Sequence, residues 1–192
     1  YAPRAGSIVN PKWLYVSKST GNNATAQKGN PNRPYSDPFA AKDDAISGDE
    51  IFVLDGVWEY TPAGEFDSES VSGLLKDQVI YHFSPGTEFV VNMNADMITN
   101  NQGLFATDEV VTCKILGSLK LRWSGDDEAA IGTSFAYGSS VEMELDSLFN
   151  IDFNFQQVDR PKAKGFLKLN VKYWYTYDYL GFSGDSCLAN II

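Results

Sequence analysis

Three adjacent acids, Asp126, Asp127 and Glu128, follow Ser124-Gly125, and Ser183-Gly184-Asp185-Ser186-Cys187 echoes them weakly. Two carboxyl groups flanking a glycosidic bond can divide hydrolysis between them, one protonating the leaving oxygen while the other activates water. The same oxygens could hold calcium. Adjacent acids are also what a solvated turn contains, and that plainer reading is preferred here. Arg160-Pro161-Lys162-Ala163-Lys164 offers cations for a lyase base but reads more simply as a basic loop between strands. The single histidine, His82, lies in Val79-Ile80-Tyr81-His82-Phe83, across a strand from three large apolar residues, and is read as structural. One histidine and two cysteines, Cys113 and Cys187, without CxxC spacing argue against a Cys/His zinc site. A Ser/His/Asp triad would need His82 as its base, and no Gly-rich phosphate loop occurs. The expectation is no catalytic residue, no metal and no cofactor. Trp174, on the polar face of its segment, is the candidate for stacking on a carbohydrate or anchoring an interface. Tyr173, Tyr175, Tyr177 and Tyr179 share the other face and read as core or subunit contact, while Phe166 on the polar face suggests contact with another chain.

These residues sit in a chain of 192, with 43% apolar residues and a formal charge of -10 from 15 basic and 25 acidic side chains. That is enough for one globular domain or a short repeat array. The acidic balance disfavours phosphate backbones and anionic membranes, so neither a nucleic-acid partner nor membrane insertion is expected. No apolar run approaches the roughly 18 to 20 residues of a spanning helix. The chain starts at Tyr1 without a charged n-region and apolar h-region, and ends on Leu188-Ala189-Asn190-Ile191-Ile192, which looks like a strand cut in mid-pattern. A processed chain or a piece of a longer one is expected, with further coils or partner chains after Ile192.

The elements that must position these groups are almost all strands. Trp13-Leu14-Tyr15-Val16 is a short aromatic strand, followed over residues 17 to 38 by a long surface loop rich in Ser, Thr, Gly, Asn and Pro. Asp37-Pro38 reads as an N-cap and a first-turn proline opening one short helix, Phe39 to Ile46, closed by Gly48. Phe39 and Ile46 fall on its apolar line. Ile51-Phe52-Val53-Leu54 is a buried strand closed by an Asp55-Gly56 turn, with Val57-Trp58-Glu59-Tyr60 after it.

From residue 79 onward, period-two alternation dominates. Val79, Tyr81 and Phe83 share a face; Ser84-Pro85-Gly86 turns the chain; Phe89, Val91 and Met93 alternate again. Cys113, Ile115, Leu119, Leu121 and Trp123 oppose Lys114, Ser118, Lys120 and Arg122. Val141, Met143, Leu145, Phe149, Ile151, Phe153 and Phe155 oppose Glu142, Glu144 and Asp146. Leu167, Leu169, Val171 and the four tyrosines oppose Lys168 and Lys172. Each stretch therefore has one buried and one wet side. Because such lengths exceed a usual strand, each is expected to bend around a corner.

Two regularities arrange the strands. Ile115, Met143 and Leu169 recur every 26 to 28 residues, a solenoid-like period. Outward charges change sign from segment to segment: Lys114, Lys120 and Arg122, then Glu142, Glu144 and Asp146, then Lys168 and Lys172. Adjacent segments would pair opposite charges at roughly 0.2 to 1 kcal/mol per pair, so sequence neighbours are expected to be spatial neighbours. Charge pairing does not report strand direction. The reading is therefore all-β, either a β-solenoid, which is favoured, or a long-stranded antiparallel β-sandwich or meander.

The block Trp13 to Ser17, Gly21-Asn22-Asn23, Asp37-Pro38-Phe39-Ala40-Ala41, Ala45-Ile46 and Gly48-Asp49-Glu50-Ile51-Phe52-Val53-Leu54-Asp55-Gly56-Val57-Trp58-Glu59-Tyr60 resembles the N-terminal cap of pectate-lyase-like right-handed parallel β-helices. That group includes many bacteriophage tailspikes and tail fibres. Ala41-Lys42 stands where the family usually has Thr-Ile, and Trp58-Glu59-Tyr60 is wider than the common Thr-Tyr. The resemblance implies a right-handed parallel β-helix with a short N-terminal capping helix: residues 1-60 form strand, polar loop, capping helix and first coil, and residues 61-192 form coils that continue or are completed by partner chains. A solenoid's first coil would otherwise expose core and strand edge, which is why a helix should cover it.

Ser124-Gly125-Asp126-Asp127-Glu128 is similar to the Gly-Asp-Asp motif of polygalacturonase-type glycosidases, but the companion Asn-x-Asp, His-Gly and Arg-x-Lys motifs are missing. The arginine loop lacks the second arginine of the pectate lyase pattern. What the resemblance implies is a non-enzymatic virion component, a tail fibre, tailspike or head fibre segment. Its partners would be other virion proteins, two further copies in a homotrimer, and a host cell-surface glycan. A polysaccharide depolymerase of the same fold and a bacterial surface adhesin, secreted or at the cell surface, are the alternatives.

Overall fold

A computed structural model of the chain describes residues 10–60, 73–91, 104–107, 109–123, 130–131, 133–135, 139–151, 153–156, 166–176, 182–183 and 187–191. Strands prevail: β1 (Trp13–Ser17), β2 (Glu50–Tyr60), β3 (Ile80–Phe83), β4 (Thr87–Val91), β5 (Phe105–Thr107), β6 (Thr112–Trp123), β7 (Ala130–Ile131), β8 (Thr133–Phe135), β9 (Ser140–Ile151), β10 (Phe153–Gln156), β11 (Phe166–Thr176), β12 (Phe182–Ser183) and β13 (Cys187–Ile191), with α1 (Pro38–Asp44) between β1 and β2. One eight-stranded sheet runs β1-β2-β3-β6-β9-β11-β13, with β4 between β2 and β6. Smaller sheets join β12-β10-β7 and β5-β8.

Every strand pairing among the described residues is parallel. The antiparallel sandwich or meander is thereby overturned, because sequence-adjacent long strands run the same way and keep their register. That register aligns Leu14, Ile51, Tyr81, Ile115, Met143 and Leu169 in one inward row across six strands. All six are fully buried or nearly so. Burying such a side chain contributes about 1.5 to 3 kcal/mol, so the row is a main source of cohesion between successive strands.

The corners are built from glycine. Gly56, Gly86 and Gly117 have φ of 120°, 96° and 101°, a region that side chains with a Cβ rarely adopt. Asp55-Gly56 was expected to end a strand; instead β2 runs through it, pairing with β3 before it and with β4 from Gly56 on. β6 does the same on the other side of those two strands. In β6 the register shifts between Gly117 and Ser118, leaving Asp146 of β9 without a ladder partner on β6.

That extra residue resets the alternation. Leu145 and Leu148 are both buried, three residues apart, where strict period two placed Phe149 inward. Along β11, Tyr173 aligns with Ser147 and is 54% exposed. Of the two readings for Tyr173, core or subunit contact, the core one is corrected for the same reason: the phase has shifted by one residue.

The β1 end of the sheet is closed differently from expectation. Asp37 accepts a hydrogen bond from the Phe39 N–H at 2.9 Å, and Pro38 opens the helix, both as anticipated. The helix stops at Asp44, however, and Ala45 is extended (φ -69°, ψ 146°), which carries Ile46 off the helical line. Ile46 is 65% exposed; Ala41 and Ala45 face the core, with Phe39 packed at its margin. A lysine from the segment before β3 completes the helix end, as Lys76 Nζ donates to the Lys42 and Asp43 carbonyls at 2.8 and 2.9 Å.

The polar loop, read as surface that buries little, covers the β1 edge. Gly29 N–H donates to the Trp13 carbonyl at 2.6 Å, Tyr35 N–H to the Tyr15 carbonyl at 2.8 Å, and Ser17 N–H to the Tyr35 carbonyl at 2.9 Å. Asn30 and Tyr35 are buried in consequence. Satisfying the edge groups in this way blocks another strand from adding there.

Candidate functional site

The outward side chains of the long sheet form two zones. On the first strands, Trp13 and Tyr15 of β1, Phe52 of β2 and His82 of β3 stand opposite the inward row, since each alternates with a buried neighbour. The register sets Tyr15, Phe52 and His82 side by side. Their rings stack, Tyr15 on Phe52 at 5.6 Å and Phe52 on His82 at 4.2 Å with planes 2° apart. Trp13 meets Phe52 edge-on at 5.3 Å. Glu50 ties the row together, accepting from Trp13 Nε1 at 3.2 Å and bonding His82 Nε2 at 2.7 Å.

His82 thus packs on Phe52 and bonds Glu50, within a polar and aromatic cluster that sequence reasoning missed. The signal was present. Aligning the buried Ile51 with Tyr81 puts Phe52 beside His82, yet Ile51 to Leu54 is a continuous apolar run whose composition does not mark its outward members.

The second zone is ionic. Glu142 on β9 lies between Lys114 of β6, at 2.8 Å, and Lys168 of β11, which it also contacts directly. The expected alternation of charge thus operates here between strand neighbours. Hydrogen bonds from Lys114 and Lys168 hold the Glu142 carboxyl down at about 2. A carboxylate so held stays ionised and is unsuited to donating a proton in catalysis. Lys120 and Arg122 reach the other neighbour of β6: they pair with Glu88 on β4, at 2.9 and 3.1 Å.

The Glu142 site carries a pH signature. Its carboxyl is lower in the folded chain than the ordinary 4.5, so its stabilising contribution is complete above 4.5 and disappears as pH falls toward 2. Urea midpoints measured from pH 6 to pH 2 should fall more steeply for the native sequence than for Glu142→Gln over that window. Parallel curves would mean the pairs add nothing to stability.

Asp126, Asp127, Glu128, Asp185 and the Arg160 to Lys164 loop lie outside the described residues. Trp174 sits in β11 at the register position beside Leu148; its side chain lies outside the described set. Exposed Tyr173 has the Lys172 ammonium 5.4 Å from its ring centre. Cys113 is a buried free thiol, which burial first and the charge of Asp77 second push up to about 12, so it is not poised as a nucleophile. Among the described residues no group of three His, Cys, Asp or Glu side chains could hold a metal ion.

The arrangement is suited to holding strands together from outside. The Phe52 ring lies between those of Tyr15 and His82, and both oxygens of Glu50 and of Glu142 are engaged by strand neighbours. No family model, curated protein or solved structure matches the chain.

Proposed function

We propose that this chain is a stretch of right-handed parallel β-helix serving as a stiff structural and receptor-binding part of a bacteriophage virion, in a tail fibre, tailspike or head fibre. The observation that carries the reading is the inward row from Leu14 to Leu169, kept in parallel register by strands that follow one another in chain order. A solenoid buries apolar surface only between neighbouring coils, and such stacking gives a rod whose backbone hydrogen bonds run along its axis. The glycine corners and the edge-covering loop on β1 suit a coil stack with a closed first end. Ion pairs and stacked rings on the outside add coil-to-coil ties. Association into a homotrimer, contact with other virion proteins and attachment to a host glycan belong to the same proposal.

Mass spectrometry of purified virions tests it. Peptides from this chain should be recovered in constant ratio to other tail or capsid proteins, and virions lacking the chain should fail to adsorb. Recovery only from host cell surfaces would support the adhesin reading instead. New reducing ends or unsaturated sugars from host polysaccharide, lost in Asp126→Ala and Asp127→Ala, would replace the structural role with a depolymerase.

A further inference from the structure

Asp55-Gly56 is the only Asp-Gly pair in the sequence, and Asn-Gly does not occur. Among aspartyl bonds Asp-Gly is the most prone to rearrange, because glycine leaves its backbone nitrogen unhindered toward the preceding carboxyl. The fold demands both residues. Gly56 has φ of 120°, and a Cβ there would lie 2.3 Å from Lys18 Cβ. Asp55 anchors the start of the polar loop: its carboxylate accepts from Lys18 N–H at 2.7 Å, Ser19 Oγ at 2.8 Å, Ser17 Oγ at 3.1 and 3.2 Å, and Ser19 N–H at 3.4 Å.

We infer that Asp55-Gly56 is a latent isoaspartate site, held closed by the clasp of Ser17, Lys18 and Ser19. In the reaction the Gly56 nitrogen attacks Asp55 Cγ. The N–Cγ bond forms and a Cγ–O bond breaks, and the oxygen departs as water with the amide proton and the carboxyl proton. Water then opens the succinimide at either carbonyl, giving aspartate or an isoaspartate whose main chain runs through Cγ. No other reactant is needed.

The clasp and the sheet together oppose this. The clasp donors occupy both carboxylate oxygens and fix Cγ against the loop, while pairing of Gly56 opposite Thr87 holds the attacking peptide in the sheet. Although burial works against ionisation of Asp55, the bonds from Ser19, Lys18 and Ser17 outweigh it and keep the carboxyl below its ordinary value. An ionised carboxylate is a poor acceptor for nitrogen attack. Isomerisation would insert a methylene into the main chain at the β2 corner, so whatever opened the loop for long would mark the chain permanently.

The test incubates the full chain at pH 6 and 37 °C and quantifies isoaspartate at position 55 by methyltransferase labelling and peptide mapping. A free peptide of residues 51–60 serves as the unprotected reference. The intact chain should isomerise at least tenfold more slowly than the peptide. A Ser17→Ala/Ser19→Ala variant, checked for a cooperative melt, should isomerise faster than the native chain while the Lys18 N–H bond and the sheet pairing of Gly56 keep it slower than the peptide. Equal rates for intact chain and peptide would overturn the inference, whether or not the variant folds. A folded variant as slow as the native chain would remove the clasp as the cause.

Discussion

Replacing Gly117 with alanine should lower stability by about 3 kcal/mol or more, combining a backbone strain of roughly 1 to 3 kcal/mol with a steric clash. A Cβ at Gly117 would lie 2.2 Å from the Phe83 carbonyl oxygen, and Phe83 is its ladder partner on β3. That oxygen cannot retreat without opening the pairing of β3 with β6. Gly86→Ala is the internal control: its φ is 96°, similarly strained, yet nothing lies within 4 Å of the place its methyl group would take. Its loss should stay near the roughly 1 to 2 kcal/mol of the conformational cost alone. Urea unfolding followed by circular dichroism separates the two. Equal losses would mean that close approach of the strands at Gly117 does not matter.

The second large effect belongs to Tyr81, which is 0% exposed at the centre of the inward row. Its ring stacks near Phe83, with centroids 6.5 Å apart, and its hydroxyl donates to the buried Leu74 carbonyl. Tyr81→Ala should cost about 3 to 5 kcal/mol through lost burial and a residual cavity. Tyr81→Phe keeps the ring and removes only the donor, leaving the Leu74 oxygen unsatisfied at a cost of about 1 to 3 kcal/mol. The same unfolding measurement reads both. A phenylalanine variant as stable as the native chain would show that the segment around Leu74 does not depend on Tyr81.

What is legible in the sequence comes from side chains that alternate over straight stretches. Spacing alone marks Ile115, Met143 and Leu169 as equivalent points, and the register places them side by side. Lys114, Glu142 and Lys168 follow, because a charge on the wet face must meet whatever stands opposite on the next strand. Direction is not legible, since a lysine meets a glutamate equally well in either sense.

The corners hide the rest. Alternation counts residues, whereas the extra Asp146 and the shift at Gly117 change the count without changing the composition. Phase is therefore lost for Tyr173 and for the Leu148 position. Ile46 fails for a related reason: helical periodicity extends past the point where Ala45 has already left the helix. The covering role of the polar loop is invisible because it depends on main-chain groups of Gly29 and Tyr35, which any residue types carry. Glu88 escapes notice as the partner of Lys120 and Arg122 because those charges turn back toward the preceding strand.

The claim on which the account depends is that long strands stack parallel and in register in chain order. Nitroxide labels at Leu116 and Glu144, outward ladder partners on β6 and β9, test it most directly in a background with the native cysteines replaced by alanine. Adjacent strands lie about 4.7 to 4.9 Å apart, so the doubly labelled chain should give strongly dipolar-broadened spectra compared with the sum of the single labels. Unbroadened spectra from a folded, doubly labelled chain would place those positions far apart and contradict the stacking order.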